Sequence, residues 1–163
     1  MGSFYNPSML IEGKKLPKIQ LPDQSGDKQT ISSLTGKKGI ILYVYPKDNT
    51  PGCTVEAKDF SRLAGQFKKL GFSVVGLSKD SVESHQNFVE KYDLAISLLS
   101  DPDLGLIKAL GAWGEKKLYG KVSVGLIRST FIADSKGILL KVYPKVRAAG
   151  HADRVLKDLE TLL

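Results

Sequence analysis

Tyr45-Pro46-Lys47-Asp48-Asn49-Thr50-Pro51-Gly52-Cys53-Thr54 follows directly on the unbroken apolar run Gly39-Ile40-Ile41-Leu42-Tyr43-Val44. It leads into residues 55–70, whose apolar side chains recur at helical spacing. The run has strand length, so the stretch reads as the junction where a buried strand becomes a helix. It holds the only cysteine of the chain, Cys53, in the first turn of that helix. First-turn N–H groups lack partners inside the helix and the helix dipole adds positive charge there, and both stabilise an anion such as a thiolate. Cys53 is therefore a candidate nucleophile; the plain alternative is a small buried hydrophobe.

Outward from the junction, strand and helix patterns alternate. Residues 72–77 read as a strand, and 82–92 as a helix opened by the capping pair Asp80-Ser81. Residues 95–99 read as a strand, and 103–110 as a short helix ended by Gly111. Residues 129–133 and 138–143 form a hairpin pattern around Asp134-Ser135-Lys136-Gly137. A last helix from His151 or Ala152 to Leu162 places Val155, Leu156, Leu159, Leu162 and Leu163 on one apolar side. Residues 111–125, rich in Gly and Lys, read as a long loop anchored by Trp113 and Tyr119, with Trp113 either meeting substrate or filling a gap in the core. Residues 1–14 read as a flexible N-terminal extension and 15–163 as a single domain. The order predicts an α/β fold whose mostly parallel or mixed sheet is covered by helices on both faces.

With 163 residues, 42% hydrophobic and 25% charged, the chain has globular composition, which excludes a disordered or membrane-embedded protein. No apolar run approaches the roughly 18 residues of a spanning helix. The start, Met1-Gly2-Ser3-Phe4-Tyr5-Asn6-Pro7, has no basic region followed by an apolar one, so no secretory signal is expected. One unpaired cysteine points to a reducing compartment, the cytoplasm before nucleus or organelle. The net charge of +7 opens nucleic-acid binding as a second class of function. The lysines, however, fall in scattered pairs (Lys14-Lys15, Lys37-Lys38, Lys68-Lys69, Lys116-Lys117) without an Arg-rich run, which favours a solvated surface. His85 and His151 are distant in sequence from each other and from Cys53, so solvent-facing or capping roles are expected and no metal site is. No glycine falls in a GxGxxG or GxxxxGK pattern, and no cofactor is expected.

Pro46, Thr50 and Cys53 reproduce the PxxxTxxC signature of the peroxiredoxins, and the chain resembles that family of thiol peroxidases. Trp113-Gly114-Glu115-Lys116-Lys117-Leu118-Tyr119-Gly120-Lys121, the stretch Gly125-Leu126-Ile127-Arg128-Ser129-Thr130-Phe131, and Gly150-His151-Ala152 extend the likeness to the peroxiredoxin Q subfamily, also called bacterioferritin comigratory protein. The resemblance runs from about Leu16 to the C-terminus. It implies a thioredoxin-like fold with a central mixed β-sheet flanked by helices, a peroxide substrate, and Cys53, Thr50 and Arg128 as catalytic residues. It further implies that Glu56 orients Arg128, that Pro46 shields the sulfur, and that Tyr45 and Trp113 border the substrate. Relatives in this subfamily suggest a monomer or weak dimer. The chemistry suits the roles: a guanidinium is a planar cation with five donors, and a threonine hydroxyl both donates and accepts.

The chain departs from the subfamily five residues past the cysteine. Many members carry a resolving cysteine there; this chain has Lys58. Peroxide would leave Cys53 as a sulfenic acid that no second thiol of the chain can resolve, so an external thiol such as thioredoxin, glutaredoxin or glutathione is implied. A Cys53–Cys53 bridge between two chains is the remaining route, and a redox sensor or chaperone on the same fold is the alternative function. Thr50-Pro51-Gly52 is the expected hinge if the helix start unwinds for resolution. Acidity alone cannot make a thiol a peroxidase. Lowering a thiol pKa by about three units raises its thiolate fraction at neutral pH roughly 30-fold, while nucleophilicity falls roughly 20-fold at a Brønsted slope of about 0.4–0.5. The burden passes to groups that hold the peroxide and stabilise the leaving oxygen.

Overall fold

The computed structural model describes residues 2–5, 8–118 and 120–163. In chain order its elements are β1 (Gly2–Tyr5), β2 (Leu21–Pro22), β3 (Lys28–Gln29), α1 (Ile31–Leu34), β4 (Gly39–Val44), α2 (Pro51–Lys69), β5 (Phe72–Ser78), α3 (Val82–Tyr92), β6 (Ser97–Ser100), α4 (Gly105–Ala109), β7 (Trp113–Leu118), β8 (Lys121–Leu126), β9 (Ser129–Asp134), β10 (Leu139–Tyr143) and α5 (His151–Leu162).

β4 lies at the middle of a five-stranded sheet of order β10-β9-β4-β5-β6. It runs parallel to β5 and antiparallel to β9, so the sheet is mixed. All six β4 residues are buried, which explains why the sequence there is unbroken rather than alternating. The strand period of two divides them. Ile41 and Tyr43, with Tyr45 beyond, face a cluster built with Phe60 of α2, Phe88 of α3 and Val155 of α5. Ile40, Leu42 and Val44 face the other cluster, with Ile31 of α1 and Leu106 and Ile107 of α4. The α/β fold with a central mixed sheet flanked by helices is thus the one the residue pattern predicted.

Cys53, Ala57, Phe60, Leu63 and Phe67 form the buried stripe of α2. The Phe60 ring stacks on Tyr43 at 4.6 Å between centroids and meets His151 edge-on at 5.9 Å. One ring therefore ties the helix that carries Cys53 to the central strand and to α5.

Several expectations are corrected. The loop expected over 111–125 is largely paired strand: β7 and β8 run antiparallel, and β1 pairs with β7, so Gly2–Tyr5 of the expected extension is a strand. Cross-strand bonding satisfies the backbone of this polar ribbon, which composition alone could not reveal. Further along that segment, Met9 is buried and Leu10 N–H donates to Leu110 O. It passes so close to Gly111 that a Cβ there would fall 2.2 Å from Met9 Cα, and Gly111 has φ +78°, so only glycine fits. Tyr119 lies outside the described residues. Leu162 and Leu163, expected on the buried side of the last helix, are exposed. His85 and His151, expected toward solvent or at caps, are both buried. Among the described residues no helix is long and apolar enough to cross a membrane.

Phe60→Ala should lower the unfolding free energy by about 3–5 kcal/mol in urea titrations, the range for deleting a buried aromatic ring. A loss below about 1 kcal/mol would contradict its packing between Tyr43 and His151.

Candidate active site

The strand-to-helix junction is closed by proline chemistry. Pro46 ends β4 half-buried, Thr50 is the extended N-cap of α2, and Pro51 takes the first helical position, where its missing N–H costs nothing. Cys53 then stands in the first turn, almost wholly buried. The first intrahelical bond runs from Thr54 N–H to Thr50 O at 2.8 Å, so the Gly52 and Cys53 N–H groups precede it.

Arg128 comes from the link between β8 and β9, where its carbonyl accepts from Val146 N–H at 3.0 Å. Its Nη2 donates to Cys53 Sγ at 3.2 Å and its Nη1 to Glu56 Oε1 at 2.5 Å. Glu56 follows Cys53 on α2 and is fully buried, and its Oε2 has no hydrogen-bond partner among the described residues. One planar cation therefore spans a sulfur and a carboxylate on the same helix. Burial pushes Glu56 from the usual 4.5 up to about 7, against the opposing pull of Arg128. Arg128 is itself raised above its ordinary value: burial works against its charge, and Glu56 and Cys53 outweigh it.

Not every expected residue reaches the sulfur. Thr50 Oγ1 donates to Lys47 O at 2.8 Å, inside the turn. Trp113 packs against the cluster on the sheet face opposite Cys53, under the ammonium of Lys108. Tyr45 is fully buried, and its hydroxyl donates to Asp48 Oδ1 at 2.5 Å. Lys58, at the position of the resolving cysteine, is exposed and holds its ammonium 5.7 Å from the Tyr92 ring centroid.

The residue reading missed the clamp on the loop before Cys53. Asp48 Oδ2 bonds His85 Nδ1 at 2.6 Å and accepts from Ser84 Oγ at 2.9 Å, while Asp48 N–H donates to Asp80 Oδ2 at 2.9 Å. His85 Nε2 pairs with Leu99 O at 2.9 Å. Tyr92 OH donates to Asn49 Oδ1 at 2.9 Å, and Asn49 adopts φ +58°, a left-handed conformation that asparagine tolerates better than most residues. Asp48, Asp80 and His85 have ligand atoms within 4.8 Å of one another, but these hydrogen bonds already occupy them. The available signal was Asp48 itself, a carboxylate in the decisive stretch, three residues from the Tyr45 hydroxyl that donates to it.

His151 shares a 2.8 Å hydrogen bond with Thr130 Oγ1. Burial, then the charges of Arg154 and Arg128, lower it from 6.5 to about 4, so it is neutral at physiological pH. Glu56 and His151 therefore tilt the stability profile in opposite senses. The raised Glu56 contributes stability that is present below pH 4.5 and lost as pH rises through about 7. The depressed His151 contributes stability that is present above pH 6.5 and lost as pH falls through about 4. Each amounts to about 3 kcal/mol over its window. Glu56→Gln removes the falling slope, so its unfolding free energy should climb by about 2.5 kcal/mol from pH 4 to 6.5 relative to the wild-type profile. Urea titrations at stepped pH read this directly; parallel profiles would exclude the assignment.

The AhpC/TSA family model matches residues 12–142. The putative peroxiredoxin bcp of Helicobacter pylori (strain ATCC 700392 / 26695) is 45% identical over 147 residues, covering 90% of this chain and 96% of that protein. Among solved structures, Xylella fastidiosa PrxQ matches with a TM-score of 0.86 at 35% identity, covering 94% of this chain and 97% of the other. Xanthomonas campestris bacterioferritin comigratory protein matches with a TM-score of 0.83 at 38% identity, covering 94% and 97%. Likeness across nearly the whole length, around a lone cysteine held by Arg128, establishes that the chain belongs to the Bcp/peroxiredoxin Q family of peroxiredoxins, the thiol-dependent peroxidases.

Proposed function

We propose that Cys53 is the thiol that attacks peroxide, and that the 3.2 Å bond from Arg128 Nη2 to its sulfur carries the assignment. The Cys53 thiolate attacks one oxygen of ROOH; the O–O bond breaks, the sulfur becomes Cys–SOH, and the departing RO⁻ takes a proton to give ROH. Arg128 holds the thiolate and the incoming oxygen together, and the first-turn N–H groups of Gly52 and Cys53 face the charge as it moves. Thr50 spends its hydroxyl proton on Lys47 O, so its lone pairs are left to accept the O–H of a hydroperoxide. Pro46, half-buried beside this turn, limits water at the sulfur. Glu56 fixes the plane of Arg128.

Hydrogen peroxide and organic hydroperoxides are the substrates this reading favours; alkyl peroxide reduction is the activity described for the Xanthomonas campestris protein. Cys53 is the only cysteine and Lys58 stands where a resolving thiol would be, so Cys–SOH is reduced by a thiol from outside, whether thioredoxin, glutaredoxin or glutathione. The protein then works in a reducing compartment such as the cytoplasm, as a monomer or weak dimer. Oxidation with one equivalent of peroxide, followed by intact mass, tests this. With added thiol the expected product is a single mixed disulfide at Cys53; turnover without any added thiol would overturn the one-cysteine cycle.

Arg128→Lys replaces a fork with a point charge that cannot serve sulfur and carboxylate together. Peroxide consumption supported by dithiothreitol should fall by about 100-fold or more, the loss typical of a removed transition-state donor. Thiolate absorbance measured alongside should change far less. A rate loss fully explained by thiolate fraction would refute the positioning role of Arg128.

A further inference from the structure

A groove of about 410 Å³ opens beside Arg128, between the loop that follows β10 and the first turns of α5. Lys145, Arg147 and Arg154 line it with Tyr143 and His151, and among the described residues no carboxylate lines it. The loop that lines it adjoins the site. Val146 N–H binds the Arg128 carbonyl at 3.0 Å, and a Cβ placed on Gly52 would meet Arg128 Nη2 at 3.4 Å and Ala148 Cβ at 3.8 Å. The loop that carries Arg147 thus runs alongside the residue that precedes Cys53. The charge there is felt locally: Arg154 and Arg128 are the cations that, after burial, keep His151 unprotonated. Asp158 stands 3.8 Å from Arg154 Nε and accepts from Tyr143 OH at 2.6 Å, and Asp153 is taken by Arg62 at 2.9 Å.

Building on the reading that Cys53–SOH is reduced from outside, we propose that this groove is the docking site of the reductant, and that the reductant is a small thiol bearing carboxylates. A cationic wall of this volume, with Tyr143, Val146 and Ala149 set among the charges, suits a short peptide thiol bearing carboxylates: the cations face its carboxylates and the apolar side chains pack its carbon atoms. Cations close to the sulfur also raise the local concentration of an anionic thiol. The step balances. RSH and Cys53–SOH give the mixed disulfide Cys53–S–SR and water; a second RSH restores Cys53–SH and releases RSSR, with two electrons drawn from two thiols.

The test compares glutathione, which carries two carboxylates, with neutral 2-mercaptoethanol as reductants of peroxide-oxidised protein, in the wild type and in Arg147→Glu/Arg154→Glu. Both side chains are exposed, so the double variant should fold, and circular dichroism checks it. The glutathione rate divided by the 2-mercaptoethanol rate cancels any general effect on the sulfur. That ratio should fall about tenfold or more in the double variant, since two attractive exposed pairs become repulsive. In the wild type it should also fall as salt rises. Calorimetric titration with S-methylglutathione, which cannot react, should give binding to wild type that the double variant loses. An unchanged ratio would overturn the proposal, as would absent S-methylglutathione binding, or reduction by thioredoxin alone with glutathione inert. Turnover with dithiothreitol separates the two levels: if it persists while those results fail, the groove assignment falls and the peroxidase reading stands.

Discussion

The arrangement turns on one cation serving two buried groups. Arg128 reaches Glu56 with one guanidinium nitrogen and Cys53 with the other, and those two residues lie on the same face of α2. Removing the cation would leave a carboxylate in the core without compensation, a loss of the order of 3–5 kcal/mol for buried pairs. Because burial holds Glu56 near neutrality, the carboxylate is partly protonated at physiological pH. Whenever it is, the positive charge of Arg128 faces the sulfur alone. Competition between two acceptors for one cation thus links the protonation of the core to the charge available at Cys53.

A fixed cation helps only if the helix start is fixed too. The Asp48 network achieves this from the opposite side, fastening the loop to α3 through Ser84 and His85 and to the end of β5 through Asp80. Every link is a hydrogen bond and few apolar contacts back it, since Asn49 and Thr50 lie toward solvent. A loop fastened mainly by hydrogen bonds can open locally at less cost than the apolar core beneath it. Lys58 fits the same picture. The position that would carry an internal resolving thiol is engaged with the Tyr92 ring, while the cationic groove opens on the other flank of Arg128.

Much of this was legible along the chain. The unbroken 39–44 run, the Pro46-to-Cys53 spacing and the helical stripe of α2 are local patterns, and local patterns specify strand, turn and helix directly. The 113–126 ribbon was misread because its Gly and Lys content says nothing about the cross-strand bonds that satisfy it. The histidines were misread because burial of a polar group is decided by partners far away in sequence: Asp48 for His85, 37 residues off, and Thr130 for His151, 21 residues off.

By itself the sequence determined the class of chemistry: a solitary cysteine at a helix N-terminus, in a chain whose periodicities build a helix-covered sheet, and no second thiol to complete a cycle. Tertiary structure decided the rest. It brought Arg128, which the family resemblance had already singled out, within 3.2 Å of the sulfur, left Glu56 half-satisfied in the core, turned Trp113 to the far face, and gathered Lys145, Arg147 and Arg154 around one groove. The division has a physical cause. Backbone conformation follows from neighbours along the chain, whereas charge, burial and proton affinity follow from neighbours across the fold, and a strand-to-helix junction completed 75 residues downstream belongs to both.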